Sequence, residues 1–314
     1  MGKLDYRTGV YFSDENRFAD FCNGVLYGGQ QVIKPEELSD ADSEYVFARG
    51  KRNKKILVDL AKYWNGKYLR LIFIENQTYV DYRMVFRNML AEAMAYERQW
   101  RRKKVTHDRN KDLQSDEYLS GISKKEMFIP VISIVVYYGE NPWDGARCLY
   151  DLLDLGEDIV VRGLISNYQL NLFDYHDYKD FDMFQTELKN LFEVLRYAEQ
   201  ELELKKRVEY DESYHNLCEE TTELIQELVH IDLINNKKEN EVKNMDMRKA
   251  FVDCQNRGVR WGRIDGIMDL LMNIGSVSDE LKNKIEETED METILRWFKL
   301  AMQVKSVQEF EDAM

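Results

Sequence analysis

The segments KILVDLAKYW (55–64) and LRLIFIENQTYVD (69–81) decide the fold of this chain. Both are rich in β-branched and aromatic residues, and Asn65-Gly66 between them is typical of a tight turn, so together they predict a β-hairpin. Each strand also carries a carboxylate among apolar residues, Asp59 in the first and Glu75 in the second. A buried carboxylate is costly unless it is paired, hydrogen-bonded or bound to a metal. The hairpin therefore predicts a divalent-metal site.

The register of the hairpin decides whether the two carboxylates meet. A two-residue turn at 65–66 would pair Asp59 with Ile72 and place it on the face opposite Glu75 and Gln77. A three-residue loop with its glycine in the left-handed region, or a bulge, would bring Asp59 to the face of Glu75 and Gln77. Because the Gln77 amide carries no titratable proton, it would orient water or a phosphate oxygen in such a site.

A structural explanation of the same residues remains open. Side chains alternate along a strand, so Glu75 and Gln77 share one face while Asn76 points to the other. Glu75 and Gln77 could simply begin the solvent-exposed end of the strand. Asp59 would then pair with a lysine such as Lys62.

The charge of the chain is unevenly distributed. The net charge is −14, yet residues 49–111 hold 17 Lys and Arg against 6 Asp and Glu, a net of +11. This window brackets the hairpin, and a local positive potential attracts a polyanion such as DNA. The alternative is that its charges are solvated faces. Two basic runs supply the candidate nucleic-acid contacts, which are Arg49, Lys51, Arg52, Lys54, Lys55, Arg98, Arg101, Arg102, Lys103 and Lys104.

Cysteine and histidine usage restricts the kind of metal. The four cysteines are scattered without a CxxC motif, and the four histidines show no metal-binding spacing. A metal here would have oxygen ligands, which favours Mg²⁺ or Mn²⁺ over zinc. The chain has no secretory leader pattern and no stretch near the roughly 20 apolar residues that span a bilayer. We therefore expect a cytoplasmic protein without membrane contact.

Two helices are predicted in the first half of the chain. One covers 13–27 with Ser13 as its N-cap, and the other covers 82–103. The polar segment 105–126 after it is predicted to be a mobile loop. The second helix has large apolar residues at helical spacing, which predict its buried face: Phe86, Met89, Leu90, Ala93, Tyr96 and Trp100, interrupted by Glu97.

The remaining pattern predicts a sheet followed by helices. The apolar run 127–139 is typical of a strand buried on both faces, and a last strand is predicted at 169–174. A hairpin, a long helix and a buried strand in this order predict an α/β (α+β) fold with a mixed sheet flanked by helices. We expect one domain at 1–178 and an acidic helical region at 179–314, with a linker at about 235–244.

Several of these segments resemble a known family. The spacing Asp-(x15)-Glu-x-Gln across the hairpin, the helix with Arg87 and Tyr96, and FIPVISIVVYYGENPWDG (128–145) are similar to the recombination-promoting nuclease (Rpn) and transposase family of the PD-(D/E)XK nucleases. The segment FSDENRFADFCNGVL (12–26) and the C-terminal helices resemble it as well. The family's usual Met-Pro at the start of the long helix is Met84-Val85 here.

The resemblance implies a Mg²⁺-dependent DNA endonuclease linked to recombination or mobile elements, with a restriction-endonuclease-like core. It implies Asp59 and Glu75 as metal ligands and Gln77 as the third catalytic residue, at a position that most of the superfamily fills with Lys. An acid of the first helix sometimes joins such a site, and Asp20 is the candidate unless it is surface-exposed. Arg87 could hold a phosphate or a site carboxylate, or form a structural salt bridge.

Two other functions remain open. The same fold could serve a catalytically inactive DNA-binding or oligomeric regulatory protein, with a homodimer formed through the C-terminal helices. Hydrolysis of RNA or nucleotides is the third option, since the sequence contains no base-reading motif.

Overall fold

The computed structural model describes residues 3–49, 52–67, 69–156, 158–229 and 244–314. These residues form two compact units, one within 3–207 and 218–229 and the other within 208–217 and 244–314. Most of the predicted linker at 235–244 lies outside the described residues. The helices just after residue 178, the predicted domain boundary, belong to the first unit.

The strands of the described residues are β1 (Leu38–Asp40), β2 (Glu44–Arg49), β3 (Arg52–Leu57), β4 (Leu60–Asn65), β5 (Leu69–Gln77), β6 (Val131–Tyr137), β7 (Asn171–Asp174), β8 (Leu217–Cys218) and β9 (Asn244–Met245). The first unit is built on a five-stranded mixed sheet with the order β1-β4-β5-β6-β7. β4 is antiparallel to both β1 and β5, while β5, β6 and β7 run parallel to one another. The predicted mixed sheet with flanking helices and a helical C-terminal region is confirmed.

The helices surround this sheet and make up the C-terminal region. They are α1 (Lys3–Ser13), α2 (Glu15–Tyr27), α3 (Met84–Asn110), α4 (Ser115–Ser120), α5 (Ile159–Leu164), α6 (Leu188–Tyr197), α7 (Glu201–Tyr210), α8 (Glu219–Val229), α9 (Met247–Ile274), α10 (Asp279–Glu287), α11 (Met291–Ala301) and α12 (Val307–Ala313). Within the described ranges, no helix is long and apolar enough to cross a membrane.

The predicted strand 55–64 is two strands in the structure. β3 pairs with β2 in a separate two-stranded sheet, and β4 joins the main sheet. The interruption falls at Val58 and Asp59, where the Asp59 carboxylate accepts a hydrogen bond of 2.8 Å from the backbone N–H of Asn76. A side-chain oxygen thus satisfies a strand N–H beyond the end of β4. Because apolar residues flank Asp59 on both sides, the sequence does not indicate that the strand is interrupted there.

The boundaries of two predicted helices are corrected. The segment 13–27 contains the end of α1 and the whole of α2, and the N-cap is Asp14 rather than Ser13, because the Asp14 carboxylate accepts from the N–H of Arg17. α3 continues to Asn110, and α4 follows inside the predicted mobile loop 105–126.

Long-range contacts explain why the polar segment after residue 104 is ordered. The Trp100 indole donates to the carbonyl of Ser120 at 3.1 Å, and His107 lies 3.1 Å from the Glu126 carboxylate. Such contacts are not visible in local polarity.

The buried face of α3 differs from the predicted one. Phe86 and Tyr96 are 47% and 37% exposed, whereas Ala91 and Ala95 are buried. The alanines pack in one cluster with Phe73 of β5, which indicates that small side chains let the helix lie close to the sheet. The buried residues of this helix are Met84, Val85, Asn88, Ala91, Met94 and Ala95.

An aromatic cluster fills the other side of the sheet. Phe21 of α2 packs edge-on against Phe173 of β7 at 5.4 Å between ring centroids, and Phe173 packs against Phe192 of α6 at 4.7 Å. Gly24 of α2 lies against this cluster, because a Cβ added there would be 2.4 Å from the Phe184 ring. The glycine therefore sets how closely α2 approaches the aromatic core.

The second unit has a helical core of its own. Ile264 and Ile267 of α9, Leu281 of α10, Trp297 of α11 and Phe310 of α12 are buried together. Ser278 is the N-cap of α10, since its side chain accepts from the N–H of Leu281.

Two helix glycines offer a matched test of this packing. We expect Gly24→Ala to destabilise the protein by about 1–3 kcal/mol, because the new methyl group overpacks the aromatic cluster. Gly9→Ala in α1 meets nothing within 4 Å and should be neutral or stabilising by up to about 1 kcal/mol. Urea denaturation of both variants measures the difference, and equal effects would contradict the packing described for Gly24.

Candidate active site

Asp59 lies near Glu75, just before β4. Asn65 pairs with Leu69 and Leu60 pairs with Ile74, so three residues separate the two strands and the register ends one position short of Asp59. In the bend before β4, the Asp59 carboxylate accepts from the N–H of Asn76, and its charge raises the pKa of Glu75. The register has the parity that a shared carboxylate site needs. Of the alternatives that the sequence left open, the structure has three residues between the strands, but Gly66 does not have a positive φ.

Glu75 and Gln77 are buried at the carboxyl end of β5, with exposures of 3% and 5%. The alternative that they begin an exposed strand end is therefore wrong. Lys62 pairs with Ile72, on the opposite face of the sheet, and its ammonium lies 2.8 Å from Asp40 and 3.2 Å from Glu15. Lys62, the partner expected for Asp59, therefore forms its ion pairs with Asp40 and Glu15 instead.

Burial dominates the electrostatics of Glu75. It raises the pKa of this carboxyl group to about 8, the negative charge of Asp59 adds to the rise, and the positive charge of Arg87 opposes it. A carboxyl group in this state gains more from a neighbouring cation than a solvated one does. The site thus favours either a proton on Glu75 or an additional positive charge.

Arg87 and Asp81 complete the charged cluster. Arg87 donates at 3.3 Å to Glu75 and at 3.0 Å to Asp81, so one guanidinium bridges two carboxylates. Asp81 also accepts from the N–H and the guanidinium of Arg83. Burial alone raises the pKa of Asp81, but the hydrogen bonds from Arg83 and Arg87 outweigh it and hold the pKa below its usual value.

Asp81 was not among the predicted site residues. In the sequence, Asp81 is marked only by its position three residues before Met84, the first residue of α3. Acidic residues are common at this place before a helix. Its burial at 4% exposure and its two arginine partners emerge only from the fold. Arg87 contacts the Glu75 carboxylate, one of the roles that the sequence left open.

The side chains near Glu75 are of the kind that a hard divalent cation takes as ligands. The Asp59 and Glu75 carboxylates and the Gln77 amide would be its oxygen donors, and burial raises the pKa of Glu75, so an added cation would stabilise the ionised form. In the described part of the chain, no cluster of three or more His, Cys, Asp or Glu side chains could hold a metal. A two-carboxylate site would rely on water and phosphate for its other ligands, as is usual for Mg²⁺.

Asp20 has a structural environment. It is 3% exposed, which excludes a surface position, and its carboxylate accepts from the backbone N–H groups of Gln185 and Thr186 and from the Thr186 hydroxyl at 2.6–2.9 Å. Its neighbour Phe21 packs on Phe173, whose register partner Val136 faces away from the Glu75 side of the sheet. The structure does not bring Asp20 to the Glu75 face.

The second basic run lies on the C-terminal half of α3, and acids of the chain neutralise most of it. Four of its five residues form ion pairs, which are Arg98 and Arg102 with Asp42, Arg101 with Glu97, and Lys103 with Glu126. Lys104 lies over the Trp100 ring, 5.8 Å from its centroid. The field of this run is therefore smaller than its formal charge indicates.

The first basic run is described only in part. Lys55 is exposed and forms an ion pair with Glu44 at 2.8 Å. Lys51 and the side chains of Arg49, Arg52 and Lys54 lie outside the described residues.

The raised pKa of Glu75 predicts how the stability of the protein depends on pH. Its folded pKa of about 8 exceeds its ordinary value of 4.5, so without a metal the wild type should lose stability as the pH rises from about 4.5 to about 8. Glu75→Gln removes that titration and should be more stable relative to wild type at pH 8.5 than at pH 5. Urea midpoints in EDTA measure this, with Asp108→Asn, an exposed acid of α3, as the control. Parallel pH profiles for wild type and Glu75→Gln would contradict the assignment.

The placement of Asp20 separates a structural role from a metal-binding one. We expect Asp20→Asn to destabilise the protein by about 2–4 kcal/mol, because a buried carboxylate that accepts several hydrogen bonds becomes an amide. Mn²⁺ affinity, measured by titration on the folded variant, should stay within about twofold of wild type. A stable variant with weakened Mn²⁺ binding would indicate instead that Asp20 contributes to the metal site.

Comparison with known proteins places the chain in a family. The family model described as "Putative transposase, YhgA-like" matches residues 61–227, which is more than half of the chain. The match includes Glu75, Gln77 and Asp81, and Asp59 lies two positions before it. No curated protein and no solved structure matches the chain. By the extent of the family match, the chain belongs to the YhgA-like transposase family.

Proposed function

We propose that this protein is a Mg²⁺- or Mn²⁺-dependent endodeoxyribonuclease that serves DNA recombination or mobile elements. The observation that carries the proposal is Glu75, a buried carboxyl group with a pKa of about 8 that the nearby charge of Asp59 helps to raise, on the same sheet face as Gln77. Membership in a transposase family supports DNA as the substrate. The free thiols of the described cysteines Cys22, Cys148 and Cys218 support a location in the reducing cytoplasm.

The roles of the residues follow from their chemistry. Asp59 and Glu75 would hold the cation, which when bound supplies polarisation of the phosphodiester and acidification of a water molecule. Gln77, without a titratable proton, would orient water or a phosphate oxygen. Arg87 is 38% exposed at its side chain and already contacts Glu75, so its guanidinium can also reach a phosphate at the site.

The second candidate function is a catalytically inactive DNA-binding or regulatory protein. The contact of Arg87 with Glu75 favours it, because this guanidinium partly compensates the charge that a metal would neutralise. Gln77 favours it too, since it stands where the superfamily usually has Lys. The second compact unit could then mediate a homodimer.

A plasmid-nicking assay with Mg²⁺ or Mn²⁺ tests the nuclease. We expect wild-type cleavage and a loss of at least about 100-fold in Asp59→Asn and Glu75→Gln, because each removes a charged ligand without changing the side-chain shape. Asp108→Asn removes an exposed carboxylate of α3 and should cleave as the wild type does. Gln77→Ala should reduce the rate less than the two carboxylate variants do.

Two outcomes would contradict the nuclease. Cleavage that persists in both carboxylate variants would place the chemistry elsewhere. Wild-type protein that binds DNA without cutting it in either metal would favour the regulatory function. Gln77→Lys then provides a further test, because cleavage gained by this variant would trace the inactivity to that one position.

A further inference from the structure

Three aromatic side chains lie exposed directly after the site strand. Tyr79, Tyr82 and Phe86 are 63%, 61% and 47% exposed, although each could bury a large apolar area in a core. They fall within ten residues of Gln77, at the start of α3. Exposed aromatic residues grouped beside a site, rather than scattered singly, indicate a binding surface.

A fixed cation lies beside Tyr79. The Arg83 side chain is 76% exposed, and its guanidinium donates to both oxygens of Asp81 at 3.1 and 3.2 Å. Tyr79 contributes, after the larger effect of Asp81, to the raised pKa of Arg83, so the two side chains are electrostatic neighbours. The guanidinium is held in one orientation while the opposite edge stays accessible for a phosphate.

The surrounding contacts hold this segment in place. The Tyr82 hydroxyl donates to the Asp144 carboxylate at 3.2 Å. Between the exposed positions, Met84 and Val85 are buried in a cluster with Trp143, and Val80 packs against the same cluster. The backbone that carries the rings is therefore anchored on its inner side. We call the exposed side chains of Tyr79, Tyr82, Arg83 and Phe86 the aromatic surface.

We propose that the aromatic surface stacks with the unpaired bases of single-stranded or locally opened DNA and so directs the backbone to the Glu75 face. The inference rests on the proposed function and names the substrate class of the same site. Aromatic rings bind any exposed base face, and the edge of the Arg83 guanidinium that Asp81 does not occupy can donate to a backbone phosphate. Paired bases stack on each other inside a duplex and do not offer these faces.

The combination of charge and aromatic residues favours a nucleic acid over an apolar protein segment. A purely apolar partner would leave the Arg83 charge without a partner beyond Asp81 and would bury it at a cost. An unpaired strand offers bases to the rings and phosphates to the guanidinium. The adjacent pair of carboxylates, Asp59 and Glu75, is where a scissile phosphodiester would bind under the proposed function.

Binding measurements in Ca²⁺ test the aromatic surface independently of cleavage. We would measure fluorescence anisotropy of a labelled single-stranded 16-mer and of the matching duplex. Tyr79→Ala and Phe86→Leu should each weaken single-strand binding by at least about fivefold and change duplex binding by less than twofold. Tyr79→Phe keeps the ring and should bind as wild type. Tyr118→Ala is the matched control, because Tyr118 of α4 is 65% exposed and α4 contacts the C-terminal half of α3, where the Trp100 indole donates to Ser120.

Photo-crosslinking identifies the contact directly. A single-stranded oligonucleotide with 5-iododeoxyuridine should crosslink to Tyr79, Tyr82 or Phe86, and the peptide can be located by mass spectrometry. The proposal is overturned if single-strand binding is absent, if it is unchanged in Tyr79→Ala and Phe86→Leu, or if duplex binding falls equally. Cleavage of plasmid DNA by these variants decides the nuclease separately. Ring-dependent binding without any cleavage would support the aromatic surface and contradict the nuclease.

Discussion

The structure around the candidate site depends on the burial of one carboxyl group. Glu75 lies at 3% exposure beside another acid, and taking its charge out of water is costly. Arg87 contacts Glu75 and lowers this cost. Because the same guanidinium also binds Asp81, its single positive charge does not fully compensate the negative charges of both acids. Glu75 is therefore left protonated over most of the physiological pH range unless another cation arrives.

The sequence predicts those features of the site that follow from strand geometry, namely the sheet face on which each side chain lies. Alternation along β5 puts Glu75 and Gln77 on one face, and parity restricts Asp59 to one of two faces. The choice between the two depends on the loop, and Asn65-Gly66 suggests a shorter loop than the structure has. The mixed sheet was likewise predictable, because the buried run of β6 and the long helix before it require a parallel crossover.

The unpredicted features all depend on contacts between distant segments. The break at Asp59 depends on the N–H of Asn76, and the burial of Asp20 depends on the backbone at 185–186. Large apolar residues at helical spacing predict the wrong buried face of α3, whereas close packing on the sheet selects Ala91 and Ala95. Local periodicity contains no information about which side chains the opposing surface has room for.

The charges of the site also limit how a cation can enter it. Arg87 contacts Glu75 and Asp81, Arg83 contacts Asp81, and burial together with the charge of Asp59 favours a proton on Glu75. Under the proposed function, a cation and that proton would compete for the same oxygens, because binding the metal requires Glu75 to ionise. Arg87 would then be the movable element, since its contact with Asp81 would keep it anchored when it left Glu75. One arginine shared by two acids would let the site change its charge without unfolding the start of α3.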